Sequence, residues 1–178
     1  MKYDVEHLMR ISLQVLEEAR KCSDKGCYVA AFVLYGFVLE AFLLAMCFCY
    51  PKEVRKTEKF QDIRKRAKRK RGLFLDLTLA QLIEISRELR WLPLEEQVEN
   101  TGTVEDWVRF VQEARNLVHP GRWLKRGEYF PELPRILKQI PYKDYRKYVN
   151  ICEETIECVG LLLENKLETE LRKRLGAK

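Results

Sequence analysis

A chain of 178 residues, 47% of them hydrophobic, is long enough to bury roughly 70% of its unfolded surface in one domain, so its core needs no disulfide or metal to hold it. Six cysteines without a CxxC pair exclude a zinc module and read as buried thiols. The formal net charge of +6 is not spread evenly, and its location decides what it means.

The opening MKYDVEHLMR lacks the apolar core and cleavage pattern of a signal peptide, which sets the expectation of a cytoplasmic protein with reduced thiols. Val5 to Cys22 reads as the first helix, with apolar positions at Val5, Leu8, Met9, Ile11, Leu13, Val15 and Leu16. Ser23-Asp24-Lys25-Gly26 breaks it, with Gly26 as the cap. His7 reads as a surface or core-edge histidine, since no arginine or carboxylate stands at a catalytic spacing from it.

Cys27 to Tyr50 is almost wholly apolar and long enough to span a bilayer. Glu40 in its middle would cost about 2.5 to 3.5 kcal/mol on insertion, and no second segment resembles it, so a central core helix and no membrane are expected. Cys47 and Cys49 diverge by roughly 200° on such a helix and make a poor redox pair. A carboxylate inside an apolar helix requires a cationic or hydrogen-bonding partner, and Arg115 is the expected one. The other reading points Glu40 through a gap into water.

From Lys52 to Gly72 the chain carries eleven Lys or Arg against three acids, a net of +8 that exceeds the charge of the whole protein. All the excess positive charge is therefore local, which is the electrostatic footprint of a phosphate-binding surface. Arg64, Lys65, Arg66, Lys68, Arg69, Lys70 and Arg71 are its densest part and the expected nucleic-acid contacts. Phe60 is the one ring available there for stacking on a base. Two other readings are open, a solvated loop and a patch for an acidic protein. The segment lacks the apolar face of a membrane-surface helix.

A third helix starts after Thr78 and buries Leu79, Leu82, Ile83, Ile85, Ser86 and Leu89, with Pro93 as its stop. Thr103 is a natural N-cap for the next, with Asp106 three positions on. Val104, Trp107, Val108, Val111, Ala114, Leu117 and Val118 form its apolar stripe. Arg115 and His119 lie on another line one turn apart, and Pro120 ends the helix at His119. Imidazole at a helix end is favoured in its protonated form, which suits proton transfer, although basic residues there also serve simply as caps. A connection rich in proline and aromatic residues follows, then a last helix over about 142–174 with Tyr148, Ile151, Cys152, Thr155, Ile156, Val159, Leu162 and Leu163 inside.

No stretch alternates with period two, so residues 1–178 are expected to form one all-α domain, an up-and-down bundle of about four to five helices with a basic insert between the second and third. Gly-rich phosphate loops and HExxH are also missing, so no cofactor and no metal site are expected.

The second helix, GCYVAAFVLYGFVLEAFLLA, and the later ARNLVHPGR resemble the HEPN superfamily, the higher eukaryote and prokaryote nucleotide-binding domain proteins. The likeness covers about residues 5 to 123. The family's signature is an arginine, usually followed by a polar residue, and then a histidine. Here these are Arg115, Asn116 and His119, with three residues between Arg115 and His119, one fewer than the usual minimum. Glu40 matches the acidic residue that many members carry on the second helix.

What the resemblance implies is an all-α bundle that cleaves RNA without a metal, commonly at a homodimer interface and commonly as a toxin beside a nucleotidyltransferase-type antitoxin or in phage defence. In those terms His119 would move the protons, Arg115 would hold the phosphate, Asn116 would orient them and Glu40 would steady Arg115, and the nucleic acid held by the basic run would be RNA. The alternative is a non-catalytic HEPN-like module that binds RNA, a nucleotide or a protein through the same groove.

Overall fold

A computed structural model describes residues 5–66, 74–92, 103–115 and 145–174. Among the described residues the fold is all helical, with seven helices and no sheet. They are α1 (Val5–Asp24), α2 (Tyr28–Cys49), α3 (Pro51–Val54), α4 (Glu58–Arg66), α5 (Leu79–Glu88), α6 (Val104–Arg115) and α7 (Tyr145–Arg174).

The molecule is built around α2, which packs against α1, α5, α6 and α7. Its sequence has no polar stripe, and burial follows: Phe32, Tyr35, Val38, Leu39, Leu43, Ala45, Met46 and Cys47 are all fully inaccessible. By length and composition alone α2 could cross a bilayer. In the fold twelve of its residues are instead buried against other helices while Phe37 stays 41% exposed, as expected of a core helix that is apolar almost all round. Burying each large aliphatic or aromatic side chain of this kind contributes about 1.5 to 3 kcal/mol.

α1 and α2 form a tight helical hairpin. Gly26, at φ +73°, donates to Ser23 O at 2.9 Å, and Cys27 N donates to Cys22 O at 2.8 Å, the paired bonds of a Schellman turn with glycine in its left-handed position. The buried side of α1 is Ser12, Leu16 and Ala19. Leu13, expected inside, is 54% exposed: it lies off the line that Ser12, Leu16 and Ala19 trace against α2. Ser12 satisfies its hydroxyl on Leu8 O at 2.8 Å, which lets a polar residue take a core position.

α2 stops because Pro51 follows it. Tyr50 takes φ −118° and ψ 50°, outside the helical region, and Pro51 opens α3, where its missing N–H costs nothing. The basic insert is therefore not only a solvated loop. Its first part folds into α3 and α4, which raises the helix count above the expected four to five.

α5 begins with a capping box, Thr78 Oγ1 accepting from Gln81 N at 3.4 Å and Gln81 Oε1 accepting from Thr78 N at 2.9 Å. It buries Leu79, Leu82, Ile83, Ile85 and Ser86, the face expected from its spacing. It ends at Glu88 rather than at Pro93, because Arg90 adopts φ +52° and a second Schellman pair closes there. α6 is capped by Thr103, whose hydroxyl and backbone N–H both donate to Asp106 Oδ2, at 2.8 and 2.9 Å. These bonds hold the Asp106 carboxyl below its ordinary range.

Ring contacts fix the polarity of the bundle. Phe32, near the start of α2, meets Tyr145 of α7, and Tyr35 and Phe42 further along meet Glu153 and Gly160, so α7 runs parallel to α2. Phe32 also meets Phe110 of α6 at 5.0 Å, while the start of α6 is tied through Glu105 to Arg87 near the end of α5, whose following Trp91 packs on Tyr50 at the end of α2. α6 thus runs antiparallel to α2.

Candidate functional site

Two regions come from the sequence, the basic insert and the end of α6, and a third comes only from the structure.

The basic insert is anchored. Phe60 is 3% exposed and packs on Phe74 at 5.2 Å, which in turn packs on Phe48 of α2. The expectation that Phe60 could stack on a base is corrected: a ring at that position is consumed in docking α4 on the core. The N-terminus of α4 is held from α5. Glu88 accepts from Glu58 N at 2.7 Å and from Lys59 N at 2.9 Å, so one carboxylate satisfies two of the free amides of the first turn. Thr57 adds a third contact, its Oγ1 accepting from Phe60 N at 3.3 Å.

With that face consumed, the cations are left outside. Lys52, Arg55, Lys56, Arg64, Lys65 and Arg66 are exposed. Lys65 lies 3.4 Å from Asp62, and Lys59 lies 3.6 Å from Glu84, both loose surface pairs of small energetic worth. Arg55 stands over the Phe74 ring at 6.0 Å. Arg64, Lys65 and Arg66 occupy the last turn of α4, where the helix dipole favours positive charge. Lys68, Arg69, Lys70 and Arg71 lie outside the described residues.

At the other region, Arg115 is the last residue of α6, its side chain is outside the description, and Asn116 and His119 lie outside the described residues. Glu40 is half-buried on α2. The expected contact of Glu40 with Arg115 therefore lies outside the described side chains.

His7 is exposed on α1, as its surface reading has it, and the Arg10 guanidinium one turn on donates to its Nδ1 at 2.8 Å.

The third region joins α1, α2 and α7. Arg20 Nε donates to Glu153 Oε1 at 2.5 Å and its other arm reaches Glu157, while the buried Tyr35 hydroxyl donates to Glu153 Oε2 at 3.0 Å. Burial and the Glu153 carboxylate push the Tyr35 phenol well above its ordinary value, so it remains a donor. No spacing in the sequence joins residues this far apart in the chain; the lone signal is a tyrosine inside an otherwise apolar helix, whose hydroxyl needs a partner. Chemically the cluster is a clamp between helices, one guanidinium shared by two carboxylates.

Compared with known proteins, the chain matches no family model, no curated protein and no solved structure.

Proposed function

We propose that this protein is an HEPN-like, metal-independent endoribonuclease that holds RNA on the basic face of α3 and α4. The observation that carries the reading is the anchored cation array. Exposed Arg64, Lys65 and Arg66 sit on a helix pinned from α5 and from the core, and among the described residues Lys65 makes only a loose pair with Asp62. Such a surface supplies affinity for a phosphate backbone without reading bases.

The chemistry rests on the ARNLVHPGR resemblance. His119 takes the proton from a ribose 2′-hydroxyl, the oxygen attacks the adjacent phosphorus, and the 5′-oxygen leaves with a proton, giving a 2′,3′-cyclic phosphate end. Arg115 offers its planar fork to the phosphate oxygens as charge builds, and Asn116 orients them. In a homodimer two such sets would face one phosphate. A toxin acting beside an antitoxin, within the cytoplasm, is the setting that the resemblance suggests.

A second reading is favoured by the short interval from Arg115 to His119. In it the chain is a non-catalytic HEPN-like module that retains RNA without cutting it. One experiment separates the two. Labelled RNA is incubated in EDTA with the native protein, Arg115→Ala and His119→Ala. Cleavage lost in both variants, with binding retained, supports the nuclease. Salt-dependent binding without cleavage by the native protein supports the module. Cleavage that survives both substitutions, or no retention of RNA at all, overturns both.

A further inference from the structure

The cysteines of this chain do not share one environment. Cys47 and Cys152 are buried and desolvation pushes their thiols up, Cys47 to about 12, so both are inert. Cys22 and Cys27 are different: Cys22 is half-buried, Cys27 is exposed, and they flank the turn between α1 and α2.

The turn itself brings them together. In a Schellman motif the outer bond joins the first and sixth residues, and a contact between the side chains at those two positions frequently accompanies it. Here the outer bond is Cys27 N to Cys22 O at 2.8 Å. Following the path from one Cα through the carbonyl, the bond and the amide nitrogen to the other leaves the two Cα atoms at most roughly 6.7 Å apart. A disulfide spans Cα separations of about 4.4 to 6.8 Å. The same motif closes α5, where the equivalent positions are Ser86 and Trp91. Only the first turn places thiols there.

Access and orientation fit as well. The Cys27 thiol lies over the turn, 4.0 Å from Lys25 O, instead of extending away from it. A Cβ built on Gly26 would meet nothing within 4 Å, so the side of the turn is open to a small reagent.

We propose that Cys22 and Cys27 are a thiol pair that closes to an intramolecular disulfide by exchange with a small-molecule disulfide. The Cys27 thiolate attacks one sulfur of the reagent, forming a mixed disulfide and releasing the other half as a thiol. Cys22 then attacks the Cys27 sulfur and expels the second half. The pair loses two electrons and two protons, and the small disulfide is reduced to two thiols.

The test uses the full chain in glutathione buffers of rising disulfide content, quenched by alkylation and mapped by mass spectrometry. Trypsin cuts after Lys21 and Lys25, so Cys22 leaves in the peptide Cys22–Lys25 and Cys27 in one that starts at Gly26. The expected product is that linked peptide pair, formed in unchanged monomer mass on a non-reducing gel and split by reductant. Cys27→Ser should abolish it and leave Cys22 at most glutathionylated. Glutathione accumulating on Cys27 without the linked pair, a Cys27 link between two chains, or two thiols that alkylate fully at every disulfide content would each overturn the proposal.

Discussion

The Tyr35 hydroxyl, at the centre of the core helix, donates to Glu153 at 3.0 Å, and the other oxygen of that carboxylate accepts from Arg20. Three helices meet at this one group. The buried half of the cluster should matter more than the exposed half. Tyr35→Phe leaves the carboxylate short of a donor and should cost about 1.5 to 3 kcal/mol, as for other hydrogen bonds to charged groups. Arg20 is 42% exposed, so Arg20→Gln should cost less than about 1 kcal/mol. Urea unfolding of the two variants gives the ranking, and the reverse order would show that the clamp acts chiefly through charge.

Alkaline pH should destabilise the protein. Cys47, Cys152 and Tyr35 are all held protonated by the fold, with pKa raised above the unfolded values. Their contribution is complete below the ordinary thiol value of 9.0 and declines as pH rises from there toward about 12 for Cys47, because the unfolded chain releases protons that the folded chain keeps. Denaturant midpoints measured from pH 7 to pH 11 should fall above 9.0. Cys47→Ala should make that decline shallower, and an unchanged midpoint across the series would refute the assignment.

The two left-handed caps should respond in opposite directions. Gly26→Ala keeps every contact yet forces a Cβ into φ +73°, at a cost of about 1 to 2 kcal/mol. Arg90→Gly relieves the same strain at φ +52° and should raise stability by up to about 1 kcal/mol. Thermal unfolding of both variants, each in the reduced state, tests the pair. A loss of stability in Arg90→Gly would mean that the arginine side chain contributes more than its backbone geometry costs.

Gly160 of α7 has little room beside α2, since a Cβ there would sit 3.2 Å from the Phe42 ring. Phe42 is itself 3% exposed and has little room to yield. Gly160→Val should therefore destabilise by about 1 to 3 kcal/mol through overpacking. Pairing it with Phe42→Leu should recover part of the loss, a coupling that a double-mutant cycle reads directly.

Glu88 holds the start of α4, so Glu88→Ala should uncap that helix at a cost of about 0.5 to 2 kcal/mol, the range for loss of an N-cap. Glu88→Gln keeps one acceptor oxygen and should lose less. Hydrogen exchange at the Glu58 and Lys59 amides checks the assignment: both should exchange faster in Glu88→Ala, and unchanged rates would place the cap elsewhere.

Much of the bundle was legible in the residues. α2 declared itself by apolar character on every side, and the caps at Thr78 and Thr103 marked helix starts because their hydroxyls satisfy backbone amides that nothing else can reach. Leu79, Leu82, Ile83, Ile85 and Ser86 sit where their spacing put them. What escaped depends on tertiary arrangement. Phe60 read as a free ring because its neighbour Phe74 lies beyond the basic run, and the Glu153 clamp spans most of the chain. Helix direction, set by Phe32 against Phe110, likewise carries no trace in the periodicity of either helix.

Return to Glu88 and the amides it caps. A polyanion that settles on Arg64, Lys65 and Arg66 meets charges already immobilised on a short rigid rod, so association there forfeits little chain freedom beyond that of the side chains themselves. A basic tail of equal charge would have to be tamed at the moment of capture. An acidic residue on the neighbouring helix thus does for the cationic one what a preformed mould does for a casting.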